Sequence, residues 1–176
     1  GLAMAAHGYA GLAYDARGHG ESDRNAAGLP YTGDQFADDL IVMAGEQPEP
    51  PVLVGASMGG LFGLIAESRC RGPFRPMALV DITPRWEHAG LQRILAFMTA
   101  FPDGFDSLEH AADAIPAYQP QRRTRKSAAD LREPLRECGD GRWRWHWDPR
   151  TVDELARDRA QHQDATADAA RRVQRP

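Results

Sequence analysis

Cysteine is scarce in this chain. Only Cys70 and Cys138 occur, and neither belongs to a CxxC pair. A disulfide-built scaffold and a structural zinc site are therefore not expected. Excess positive charge is also missing. The 21 Lys+Arg face 25 Asp+Glu, a formal net charge of −4, which supplies no general attraction to nucleic acid or an anionic membrane. Long apolar runs are absent too, since none approaches the ~18 residues that a membrane helix needs. No initiator Met opens the chain, which begins at Gly1 inside a helix-like stretch. That start predicts an internal fragment of a longer protein. Two cysteines and no visible targeting segment make the cytoplasm the expected compartment. The expected partner is a small-molecule substrate, with no nucleic acid, membrane, metal or cofactor.

What is present is ordered. The 176 residues are 42 % hydrophobic, enough for one domain with a sizeable core. Leu2 to His7 reads as a helix ended by Gly8, and Ala10 to Tyr14 as a short buried strand. Asp15 to Asp23 is a glycine-rich loop. Asp34 to Ala44 predicts a helix with Phe36, Leu40 and Met43 on one face. Val52 to Val54 is an apolar strand, Leu61 to Arg69 a helix and Met77 to Val80 a third strand. This alternation predicts a parallel α/β sheet. The second half reads as helical. Leu91, Ile94, Leu95 and Met98 follow helical spacing, and Ser107 caps a helix carrying Leu108, Ala111, Ala112 and Ile115. Ala128 to Glu137 predicts a weak helix interrupted by Pro134. Trp143, Trp145 and Trp147 alternate as in an extended segment, and Asp148-Pro149 opens a last polar helix.

The strongest chemical signal is Gly55-x-Ser57-x-Gly59, set between an apolar strand and a helix. A tight strand-to-helix turn forces its central residue into a strained conformation and lifts the hydroxyl off the sheet edge. Ser57 is then the candidate nucleophile. Gly55 and Gly59 are expected to be small because backbone passes close by, with Gly60 completing the turn. The Met58 backbone N–H, at the helix N-terminus, points to where an oxyanion would form. The plain alternative is a glycine-rich connection without chemistry.

Two motifs carry a family resemblance. One is this turn, Gly55 to Gly60. The other is Tyr14-Asp15-Ala16-Arg17-Gly18-His19-Gly20-Glu21-Ser22-Asp23. Together with Leu79-Val80-Asp81-Ile82-Thr83-Pro84, they resemble the serine-nucleophile, esterase-like branch of the α/β-hydrolase fold family. The resemblance implies an α/β parallel sheet of that type with a mostly helical cap. It places a partial core at residues 1–84, the cap at 85–150 and a helix leading back toward the core at 151–176. Ala56 departs from the His often found before the family's nucleophile. A serine there argues against the haloalkane dehalogenase and epoxide hydrolase branches, which use Asp. Esterase, lactonase, thioesterase, C–C hydrolase and cofactor-free haloperoxidase chemistries stay open. The family order of Ser, acid and His implies that the catalytic His, the usual acid and one oxyanion donor lie outside this chain, so a catalytically incomplete remnant is the rival expectation.

Other residues are weighed beside these. Asp81, at the end of the third strand, is an alternative acid, with capping of the turn before Pro84 as the plainer and favoured role. Asp15, Arg17, Gly18 and His19 read as structural residues near the site. Trp143, Trp145, Trp147 and His146 are candidate substrate contacts, with anchoring of a cap as the plainer role for the rings. Arg122, Arg123, Arg125 and Lys126 form the one basic run and read as a solvated loop face.

Overall fold

The computed structural model describes residues 2–70, 72–118, 127–157 and 159–173, without the side chains of residue 2, of 117 and 118 and of 154–162. The basic run of Arg122 to Lys126 lies outside the described residues. The chain runs through α1 (Leu2–Ala5), α2 (Gly33–Gly45), β1 (Leu53–Ala56), α3 (Met58–Arg69), β2 (Met77–Val80) and α4 (His88–Thr99). It continues with α5 (Leu108–Ala114), β3 (Leu135–Glu137), β4 (Trp143–Trp145), α6 (Arg150–Arg157) and α7 (Arg159–Arg172).

Local sequence explains most of these boundaries. Gly8 takes φ +80° just after α1, the left-handed geometry that ends a helix. Thr32 and Gln35 form a reciprocal capping box at the start of α2. The Ser107 hydroxyl accepts the His110 N–H at 3.0 Å and starts α5. β1 and β2 pair in parallel, Leu53 with Met77 through Ala56 with Val80. Side chains alternate across the two faces of this sheet. Leu53 and Gly55 face α3, whereas Val54 and Val80 are exposed on the other side.

Two expectations are corrected. Ala10 to Tyr14 is not a strand. β1 has its one described partner in β2, and Leu12 and Tyr14 are exposed. An apolar run favours extended backbone, but only a neighbouring ladder turns it into a strand. The helix expected over Ala128 to Glu137 is a 3-10 turn at Ala129–Leu131 followed by β3, which pairs antiparallel with β4. Pro134 supplies no N–H for a helix, and the Trp143 to Trp145 segment offers a partner strand.

Two buried clusters result. Tyr31, Phe36, Ala37, Leu40, Phe62 and Phe74 fill the space between α2, α3 and the sheet, with Phe36 and Phe62 stacked at 4.6 Å. Phe105, Leu108, Ala111, Ile115, Leu131 and Leu135 form the second, beneath the β3–β4 hairpin. α7 packs on α3, and α6 on α4. Among the described residues, no helix is long and apolar enough to cross a membrane, and both cysteines are free thiols.

A polar clamp joins the hairpin exit to the glycine-rich loop. The Asp148 N–H donates to the Gly18 carbonyl at 2.6 Å. Its carboxylate accepts the Tyr31 hydroxyl at 2.9 Å and the Arg150 guanidinium at 2.7 Å. Arg150 also donates to the Asn25 and Ala26 carbonyls, and its guanidinium lies 5.4 Å from the Tyr31 ring centroid. Burial pushes the Asp148 carboxyl upward, but the Arg150 and Tyr31 bonds outweigh it and hold it at about 2. Because the folded value lies below the unfolded one, the stabilisation is complete above the ordinary carboxylate value and is lost as pH falls toward 2. Asp148→Asn should cost about 2–3 kcal/mol at pH 7, since buried donors lose a charged acceptor. Denaturant unfolding of both proteins between pH 7 and pH 2 should show that difference shrinking over the acid end.

Candidate active site

Ser57 sits between the last residue of β1 and the first of α3, with φ 49° and ψ −120°. A non-glycine residue at positive φ is rare and costly unless its surroundings impose it. Here the surroundings do. The Ser57 N–H donates to the Val80 carbonyl at 3.2 Å, so the parallel ladder holds it beyond the end of β1. Its own carbonyl accepts the Gly60 and Leu61 N–H groups at 3.0 and 3.2 Å, which starts α3 in the same step. The side chain makes no cap bond and is exposed. The Met58 N–H is the first amide of α3, too early in the helix to have a carbonyl four residues back within it, and lies at the positive end of the helix dipole.

The glycines divide differently from the expectation. A Cβ on Gly55 would lie 2.7 Å from the Gly59 carbonyl oxygen and the Gly60 nitrogen. One on Gly60 would meet Ile82 Cγ2 at 2.7 Å and the Gly55 oxygen at 3.0 Å. One on Gly59 would meet nothing within 4 Å. Gly55 and Gly60 are therefore the crossing point of strand and helix, and Gly59 is not. Glycines spaced alike in sequence turn away from each other once the chain passes from strand to helix.

Asp81 occupies the rung after Val80, as Ser57 does after Ala56. Its φ is 53°, and Ser57 and Asp81 are the two non-glycine residues at positive φ among those described. Both stand at the C-terminal ends of neighbouring parallel strands, where α/β sheets place their reactive groups. Among the described residues, no imidazole is hydrogen-bonded to the Ser57 hydroxyl.

The glycine-rich loop is tied down residue by residue. The Asp15 carboxylate accepts the Glu21 N–H at 2.8 Å. Arg17 makes a two-pronged pair with Asp39 of α2, both bonds at 2.6 Å. Gly18, at φ +73°, leaves no room for a Cβ against the Tyr31 ring. His19 Nδ1 lies 3.1 Å from the Arg17 carbonyl oxygen. From the hairpin side, His146 Nδ1 accepts the Gly20 N–H at 3.0 Å. Trp143 and Trp145 pack on the second cluster, and Trp147 stacks on Trp145 at 4.6 Å. The rings thus anchor the hairpin. The sequence does not mark Asp148, Arg150 and Tyr31 as partners; its one local signal there, Asp148-Pro149, marks a helix start. Gly55→Ala should destabilise the fold by about 2 kcal/mol or more through backbone overpacking, whereas Gly59→Ala should be neutral or slightly stabilising, as Ala is favoured in a helix. Thermal unfolding of the two variants checks the contrast.

A model of the alpha/beta hydrolase family matches residues 2–175. The chain is 25 % identical over 142 residues to the 3-hydroxybutyrate-oligomer hydrolase of Cupriavidus necator, an alignment taking in 77 % of this chain and 48 % of the relative. It thus spans about half the length of that curated relative. Among solved structures it is similar to an E-2-(acetamidomethylene)succinate hydrolase, with TM-score 0.68, 24 % identity, and 92 % of this chain and 59 % of that one covered. It is likewise similar to an alpha/beta hydrolase from Novosphingobium aromaticivorans, with TM-score 0.64, 21 % identity, and 88 % and 58 % covered. An esterase from Mycobacterium tuberculosis matches at TM-score 0.54 and 24 % identity over 92 % of this chain and 62 % of its own. At these identities the structural likenesses speak for the fold, and the fold agrees with the family match along the chain. This chain belongs to the alpha/beta hydrolase family.

Proposed function

We propose that this chain carries the nucleophile of a serine hydrolase acting on a small ester or related carbonyl substrate. Ser57 attacks the carbonyl carbon and forms an acyl-enzyme, and the Met58 N–H is one donor to the tetrahedral oxyanion. The observation that carries this reading is the left-handed backbone of Ser57 between β1 and α3. The turn holds the hydroxyl clear of its own helix, next to the Met58 N–H that opens α3. A relative named as a 3-hydroxybutyrate-oligomer hydrolase supports the substrate class. Asp81 is the alternative acid, on the strength of its place one strand over from Ser57 at the same level. No base histidine and no second oxyanion donor are assigned among the described residues.

A fluorophosphonate probe tests the nucleophile in a protein containing this chain. Labelling at Ser57 is expected, and no label there would sink the proposal. Ser57→Ala should lower turnover by at least about 10³-fold. Asp81→Asn separates two roles, since Asn tolerates positive φ as Asp does. A loss of about 10⁴-fold marks a catalytic acid, and an unchanged rate marks a turn residue.

The second reading is a catalytically incomplete chain that acts, if at all, through contact with another protein. It is favoured by the lack of an imidazole bonded to Ser57 among the described residues. Under it, the 176 residues alone give negligible p-nitrophenyl acetate turnover. Turnover abolished by Ser57→Ala would exclude it.

A further inference from the structure

The glycine-rich loop meets the β3–β4 hairpin and its exit at three places. One is the exposed ion pair of Glu21 with Arg136 of β3. The other two are the Asp148 clamp and, two residues earlier on the hairpin side, the single bond from the Gly20 N–H to His146 Nδ1. It borders a cavity of about 490 Å³ lined from the loop by Asp15, Gly20 and Glu21 and from the hairpin side by Glu133, Arg136 and His146. The last two contacts differ in kind. The clamp is built from a carboxylate already ionised at any ordinary pH. The second contact exists only while His146 Nδ1 carries no proton, because a protonated imidazole has no acceptor.

We propose that His146 is a pH-operated latch. Neutral, it holds the hairpin against the loop through Gly20; protonated, it releases that contact while the Asp148 clamp stays closed as the hinge. The step moves one proton. With Nδ1 free, the neutral ring keeps its proton on Nε2 and accepts from Gly20. A proton taken up at Nδ1 turns the acceptor into a donor facing another donor, so the Gly20 amide must leave it.

The groups facing His146 set where this happens. His19, from the loop, stands edge to face with it at 6.1 Å between ring centroids. Trp147 lies against it at 5.6 Å. Asp15 comes from the loop, and Glu133 and Arg136 from β3 and the residues before it. Glu21, across the cavity, is engaged in an ion pair with Arg136, and Arg132 lies over the Trp143 ring at 5.7 Å. Burial holds the His146 imidazole below its usual value, and His19 and Arg136 add to this against the opposite pull of Asp15 and Glu133. The folded value is depressed, so the contact is complete above the ordinary histidine value of 6.5 and is lost as pH falls below it.

The test uses the full 176-residue chain and amide-resolved NMR with hydrogen exchange between pH 8 and pH 5. In the wild type, the Gly20 amide should shift with one midpoint below 6.5 and exchange at least about tenfold faster, after correction for intrinsic pH dependence, on the acid side. His146→Asn places an acceptor oxygen near the Nδ1 position without a proton to gain. It should keep the Gly20 amide in its neutral position across the range. His146→Ala should show the released Gly20 signal already at pH 8. A Gly20 amide that does not titrate in the wild type overturns the latch. So does one that titrates alike in His146→Asn, which would show that His146 is not the titrating group. A Gly20 amide exposed to exchange in the wild type at pH 8 contradicts it as well. None of these readouts depends on Ser57, so the latch and the hydrolase proposal fail separately.

Discussion

The carboxylate of Asp148 stands between two separate hydrophobic clusters. One cluster packs Phe36, Phe62 and Phe74 around α2 and α3, and the other packs Phe105, Leu131 and Leu135 under a hairpin. Apolar packing sets how much surface is buried, but it is non-directional. The relative placement of two such bodies needs directional bonds. Asp148 supplies them: its N–H ends on Gly18, its carboxylate on Tyr31 and Arg150, and Arg150 on the Asn25 and Ala26 carbonyls just past the glycine-rich loop. Gly18 and Tyr31 then become a matched pair: the ring occupies the space that a Cβ would need.

The candidate site obeys a different constraint, close passage of backbone. A parallel strand that turns straight into a helix must cross the helix's first turn. At Gly55 and Gly60 that crossing leaves no volume for side chains. The residue between has to take up the change of direction, and Ser57 does so at positive φ. The strain is held from outside, by the Val80 carbonyl of the neighbouring strand. A hydroxyl placed this way is exposed and next to the Met58 N–H by virtue of the fold rather than by its own bonding.

Much of this was legible in residue order. The α2, α3 and α5 helices, the β1 and β2 strands, the cap at Ser107 and the serine turn all follow from local pattern. They depend on contacts within a few residues, where periodicity and capping act. What pattern could not supply was pairing. Ala10 to Tyr14 has the composition of a strand and no ladder. Leu135 to Glu137 lies in helix-like company and is a strand, because Trp143 to Trp145 lies beside it. The Asp148 clamp spans more than a hundred positions to Tyr31, and no local signal marks either end as the other's partner.

The sequence by itself determined the chemistry that can occur: a serine between glycines at a strand-to-helix turn, few cysteines and a mild negative charge. It also determined the local elements, since helix periodicity and capping are properties of neighbouring residues. Tertiary structure alone decided which glycine is indispensable, Gly60 rather than Gly59, and that His146 meets Gly20 instead of standing free. The physical reason is shared. Steric exclusion and hydrogen bonds act over a few ångströms in space, and folding brings within that reach groups that the chain itself holds far apart.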